Sequence, residues 1–201
     1  MTASLPMHPL PLPYLQGYPP ELLAQVQRLV ADGRLAETVA ARHPEPHAVR
    51  SELALVEYVQ QLKARHLKSA PPLAKVAWDA KLQLMKHVLG THTSVSRVQG
   101  RQLKAKREIR IATLFKEAPA DFLRMIVVHE LAHLKEPEHD RAFYALCRHM
   151  APDYLALELD LRLWLTARAL AAAVPGGTQA AEGGPGPQSP QPPGAQACHT
   201  P

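Results

Sequence analysis

Apolar positions recur along this chain with two different periods, and the change of period divides it. From Glu21 onward, Leu22, Val26, Leu29 and Val30 form a stripe at helical spacing, and Asp32-Gly33 closes it. A second short helix fits Leu35 to Arg42, ahead of Pro44 and Pro46. A third is predicted from His47 to Leu67, with Leu55, Tyr58, Val59 and Leu62 on one face. These stripes are core-packing faces. Beyond Pro71-Pro72 the period becomes two. Lys75 to Trp78 reads as a first strand, and Thr91 to Val98, rich in Thr and Val, as a second. After Gln99-Gly100, Leu103, Ala105, Ile109 and Ile111 alternate with Lys104, Lys106, Glu108 and Arg110, which predicts a half-buried antiparallel hairpin.

Helical spacing then returns. Between Pro119-Ala-Asp121 and about Lys135, the residues Phe122, Leu123, Met125, Ile126, Val127, Val128, Leu131, Ala132 and Leu134 cover nearly every side of a helix. A helix apolar all round is a buried one. Asp140 is placed to cap a helix from Arg141 to Met150. From Pro152 to about Ala173, leucines alternate at 155, 157, 159, 161, 163 and 165, as in a strand. The segment is nevertheless some twenty residues of Ala, Leu, Arg, Glu and Asp with almost no β-branching, and it is predicted helical. The class is α+β: N-terminal helices, a small antiparallel sheet against a buried helix, and C-terminal helices.

Composition sets the limits of the folded part. Of 20 prolines in 201 residues, 13 lie in residues 1–20 or 175–201, and the latter hold six of the ten glycines. Such segments bury too little apolar surface to offset the entropy of ordering them. Disordered ends are therefore expected at 1–18 and 175–201, around a single domain at 19–174. Charged residues interrupt every greasy stretch, so no membrane-spanning helix is expected, and the proline-broken N-terminus does not resemble a signal peptide. With only Cys147 and Cys198 present, a disulfide framework is not expected and a cytoplasmic location is. The formal charge of +5 becomes +6 once the two ends are set aside, because they contain Glu182 and no Lys or Arg. Six basic residues, Arg97, Arg101, Lys104, Lys106, Arg107 and Arg110, gather around the predicted hairpin. They form either an ordinary solvated face or a groove for phosphate or an acidic substrate.

Inside the buried helix stands His129-Glu130-Leu-Ala-His133. Residues four apart project from one face a turn apart, so both imidazoles can bind one ion. Glu130, turned about 100° from His129, stands beside such an ion and can take the proton from an attacking water. Shuffling this composition yields the pattern in roughly one chain in thirty, and the apolar surroundings strengthen it. Two histidines and a glutamate buried without partners cost about 1 to 3 kcal/mol each, and a divalent cation supplies the partner. A catalytic zinc needs a third protein ligand and an open position. Glu136, Glu138 and His139 follow within reach. His139, six residues after His133, is favoured, since that interval occurs in longer three-histidine motifs, and the glutamates stand in reserve. Those motifs carry glycine where this chain has Glu136, so a different turn is expected.

Four strings, Tyr14-Leu-Gln-Gly-Tyr18, Thr91-His-Thr-Ser-Val-Ser-Arg-Val-Gln-Gly100, Ile126-Val-Val-His-Glu-Leu-Ala-His-Leu-Lys135 and Arg162-Leu-Trp-Leu-Thr166, resemble the YgjP-like proteins. That is a zincin-type metallopeptidase group related to SprT-like and WLM domains. The resemblance spans Tyr14 to Thr166. It implies a compact zincin-like α+β fold with an antiparallel sheet against the metal-binding helix. It also implies His129, His133 and His139 as zinc ligands and Glu130 as the catalytic acid/base. The Arg-Trp-Gly-Ser-Cys stretch of many members of the broader group is replaced here by residues 94–100, so no substrate contact carries over from it.

Three functions follow as expectations. The first is a zinc-dependent peptidase, with His149, Tyr144 or Tyr154 as oxyanion helper. The second is a metal-dependent pyrophosphatase of nucleoside triphosphates, a label some YgjP-like proteins bear for UTP, with the basic hairpin holding phosphates. It lacks support from a glycine-rich phosphate loop, because Gly100 stands alone. The third is a nucleic-acid-associated module like the SprT-like proteins, supported only by the basic hairpin.

Overall fold

In the computed structural model, residues 12–82 and 108–173 are described. The expected strand Thr91–Val98, hairpin residues 99–107 and the C-terminal segment from 175 lie outside them. Helices dominate: α1 (Pro20–Ala31), α2 (Leu35–Arg42), α3 (Glu52–His66), α4 (Ala120–Ala132), α5 (Arg141–Met150) and α6 (Tyr154–Ala173). Strands β1 (Lys75–Asp79) and β2 (Glu108–Ala112) lie between α3 and α4, and a 3-10 turn, Thr113–Glu117, follows β2.

The predicted helices form where their stripes place them, with two informative shifts. Gly33, at φ +69°, ends α1 in the left-handed conformation that glycine adopts without strain. Helix α3 begins five residues later than its apolar pattern, because Ser51 caps it, its Oγ accepting from the Ala54 N–H at 3.1 Å. The preceding His47 is used differently. Its Nε2 donates to the Phe115 carbonyl at 2.8 Å while Nδ1 accepts from the Val49 N–H, which ties residues 47–51 to the 3-10 turn. The leucine-alternating segment is helical: α6 contacts α2, α4 and α5, so most of its sides are covered and a two-residue period carries no strand information.

Among the described residues the sheet is the pair β1 and β2, which runs parallel, with Val76 opposite Ile109 and Trp78 opposite Ile111; the antiparallel hairpin expected of 91–98 with 103–111 falls largely outside the described residues. Parallel neighbours need a connection of a dozen or more residues, and residues 80–107 supply one. Residues ahead of α1 also pack against the core. Leu15 is fully buried, its N–H bonded to the Leu12 carbonyl at 3.1 Å, and Tyr14 and Tyr18 pack against the core. Proline content conceals these three anchors.

Helix α4 runs through the centre. It contacts α3, β2, α5 and α6, and Phe122, Leu123, Met125 to His129, Leu131 and Ala132 are all buried. Among the described residues, no helix is long and apolar enough to cross a membrane.

Candidate metal centre

Helix α4 presents His129 from its last turn, and His133 occupies its C-cap position with φ −64° and ψ −11°. The chain then closes tightly. The Lys135 and Glu136 N–H groups both donate to the Ala132 carbonyl, at 3.0 and 2.9 Å. No non-glycine residue among those described has positive φ, so the turn through Glu136 and Pro137 reaches His139 without a glycine. Asp140 caps α5, accepting from the Ala142 and Phe143 N–H groups at 2.9 and 3.0 Å.

The result is a convergence of three imidazoles from one helix end and one turn. The Nε2 atoms of His129, His133 and His139 lie 3.2 Å (129–133), 3.1 Å (133–139) and 3.2 Å (129–139) apart. Three ring nitrogens cannot satisfy one another in such a triangle, because each neutral ring has a hydrogen on only one of its two nitrogens. The spacing fits an ion instead: tetrahedral zinc with bonds of about 2.0 to 2.1 Å separates its ligand nitrogens by roughly 3.3 Å. Glu136 and Glu138 do not join this group of three.

Groups behind the rings set their orientation. His133 Nδ1 lies 3.1 Å from the Glu136 carbonyl, to which it donates, leaving the Nε2 lone pair toward the triangle. His129 Nδ1 lies 2.8 Å from the Tyr154 hydroxyl. Phe143, fully buried, packs its ring against all three imidazoles, with centroids 4.6 to 5.0 Å away. Burial, with a smaller contribution from neighbouring His139, lowers the pKa of His133, which favours the neutral, ligating form.

Glu130 follows His129 on the same turn and is half-buried. Burial pushes its carboxyl up to about 7, the range in which a carboxylate serves as a general base at neutral pH.

The three oxyanion candidates have other contacts. Tyr154 is fully buried and engaged with His129. Exposed His149 meets the ring of His66 edge-on. Tyr144 lines a cleft of about 610 Å³ with Tyr18, Arg148, Glu158 and Arg162. Of the six basic residues, Arg110 is described, and its guanidinium is held by Asp79 and Glu108, each at 3.2 Å. The other five lie outside the described residues. Phe143 and the link from His129 to Tyr154 escaped sequence reasoning. The only signal was that Asp140 fixes the phase of α5 and so the direction of Phe143.

Residues 29–163 match the sequence model of the YgjP-like family, a metallopeptidase domain. A UTP pyrophosphatase of Escherichia coli (strain K12) is 57% identical over 155 residues, covering 77% of this chain and 93% of that protein. No solved structure matches.

Proposed function

The chain belongs to the YgjP-like family and is a metal-dependent hydrolase, and from that premise we propose that it hydrolyses a nucleoside triphosphate, UTP foremost, using zinc held by His129, His133 and His139. The observation that supports the hydrolytic centre best is the 3.1–3.2 Å triangle of Nε2 atoms beside a desolvated carboxylate. The choice of UTP rests on the pyrophosphatase at 57% identity.

Zinc, when bound, supplies Lewis acidity at the phosphoryl oxygen and lowers the pKa of water at the site. The chain's own residues do the rest. Glu130 accepts the proton of the attacking water as the water oxygen bonds to phosphorus and the bond to the departing diphosphate breaks. Glu136, through its carbonyl, and Tyr154 hold the imidazoles of His133 and His129. Phe143 keeps the three rings packed from one side.

A second reading, peptide hydrolysis, is favoured by the His-Glu-Leu-Ala-His arrangement and by the family's description. There Glu130 passes the water's proton to the leaving amine.

The purified protein is assayed on UTP and on casein, after chelation and after zinc is restored. UTP turnover is expected to vanish with chelator and return with zinc. Glu130→Gln is expected to retain zinc while losing about 10²- to 10⁴-fold in rate. Chelator-insensitive UTP turnover, or full activity in Glu130→Gln, overturns the reading. Zinc-dependent casein cleavage without UTP turnover selects the second.

A further inference from the structure

Two of the four strings that carry the family resemblance, the one from Tyr14 to Tyr18 and the one from Arg162 to Thr166, take no part in the three-imidazole centre, and they meet at the cleft of about 610 Å³. That volume lies within the roughly 300 to 1,000 Å³ of small-molecule sites. Gly17, at φ +85°, turns the chain along one wall, and α5 and α6 form the others.

The floor of the cleft is an ion pair. Arg162 Nη2 and Glu158 Oε1 are 2.8 Å apart, with each side chain 12% exposed. Arg162 Nη1 donates to the Tyr14 carbonyl at 3.4 Å, while its Nε is buried with no hydrogen-bond partner among the described residues. A buried donor in that condition is one that a water or a ligand group satisfies. Beside the pair stand two phenols, Tyr18 and Tyr144, and Leu155, which is 50% exposed. Burial raises the pKa of both phenols, so their hydroxyls keep a hydrogen to donate. At the rim, exposed Arg148 gives Nε to the Tyr144 carbonyl at 3.4 Å and has no acidic partner among the described residues. Its two terminal nitrogens are open to an anion, and Arg148 with Arg162 outweighs Glu158 by one positive charge.

Flat apolar surface next to a guanidinium suits one ligand class. Aromatic side chains stack on nucleobases, and guanidinium groups take phosphate oxygens in pairs. The described lining residues belong to two helices and a turn, so no strand edge offers the backbone pairing that holds an extended peptide. A bare inorganic anion would leave the phenols and Leu155 without contact. We propose that the cleft binds a mononucleotide, its base lying against Tyr18, Tyr144 and Leu155 and its phosphate held by Arg148.

This site is separate from the metal centre. The Tyr154 ring lies 6.3 Å from that of Tyr144 and 6.5 Å from that of His129, and Phe143 touches both Tyr144 and the imidazoles. Both are fully buried, so they stand as a wall between a ligand in the cleft and the three Nε2 atoms.

The full chain is titrated calorimetrically with UMP, AMP, uridine and inorganic phosphate, with and without chelator, and the binding site is mapped from amide chemical shifts. UMP or AMP is expected to bind equally well in both metal states and in His133→Ala, more tightly than uridine or phosphate, with shifts centred on residues 16–18, 144, 148 and 155. Arg148→Ala should weaken binding about 10- to 100-fold, as expected for losing a hydrogen bond to a charged group, and Leu155→Ser should weaken it less. Both substitutions replace exposed side chains, so the fold, monitored by thermal melts, is expected to be retained. The proposal is overturned if neither nucleotide binds, if phosphate alone binds as tightly, if Arg148→Ala is unchanged, or if the shifts centre on residues 129–139. The result does not depend on UTP turnover, because binding is read in the metal-free protein.

Discussion

Phe143 touches the rings of His129, His133 and His139 at once and is wholly buried, so it couples the stability of the fold to the shape of the site. Phe143→Ala is expected to cost about 3 to 5 kcal/mol, measured by urea unfolding of the metal-free protein, and to weaken zinc binding. His133→Ala should abolish stoichiometric zinc with a smaller loss of stability, since His133 is only half-buried; zinc content by elemental analysis checks it. At this scale the sequence is legible wherever spacing encodes geometry. His129 and His133 are read from one turn of helix, and Glu130 from its 100° offset. Phe143 and Tyr154 meet His129 from 14 and 25 residues away, and no local period encodes such a meeting. Tyr154 was anticipated near the chemistry, yet as an oxyanion helper, because sequence indicates a phenol nearby and not which way its hydroxyl points.

A polar network holds the start of α4, the end opposite the three imidazoles. His43, just beyond α2, places Nδ1 2.9 Å from Asp121 at the start of α4 and Nε2 2.9 Å from Asp160 in α6. Arg124 in α4 joins Asp121 to Asp153, at 3.0 and 2.8 Å. Hydrogen bonding by Arg124 holds the Asp153 carboxyl below its usual value. A carboxyl depressed in the folded state contributes stability that is fully present above its unfolded value of about 4 and is lost as pH falls through the folded value. Comparison of wild type with Arg124→Ala should therefore show a difference that is constant from about pH 5 upward and shrinks below about pH 4. Asp153 has a half-exposed side chain, so solvent screening keeps this pair near 1 kcal/mol or less. A difference that grows on acidification, in urea titrations at stepped pH, would contradict the assignment. His43→Ala removes one of the two partners of buried Asp160, which Arg42 still holds at 2.8 Å, and should cost about 1 to 3 kcal/mol. Strand direction was not legible at this scale: alternation reports that Ile109 and Ile111 point inward, whereas the partner strand is chosen by a contact across more than thirty residues.

For the whole molecule, the two chain ends look alike in composition and are expected to behave differently. Both are proline-rich and nearly uncharged, which is why the sequence suggests the same treatment for residues 1–18 and 175–201. On the N-terminal side, however, Leu15 is fully buried, Arg162 of α6 donates to the Tyr14 carbonyl at 3.4 Å, and the Arg162 guanidinium lies 5.7 Å from the centre of the Tyr18 ring. Removing residues 1–18 deletes a buried leucine and uncovers the side of α6 that Tyr14 and Tyr18 pack against. That truncation should cost at least the 2 to 5 kcal/mol typical of a lost core leucine. Removing residues 175–201 leaves every described residue in place and the family match, which ends at 163, whole. Its expected effect is within about 0.5 kcal/mol, with zinc binding and UTP turnover retained. Parallel urea titrations and zinc assays on the two truncations give the comparison: equal losses at both ends would place the domain boundary wrongly, and loss at the N-terminus alone puts it before Leu12.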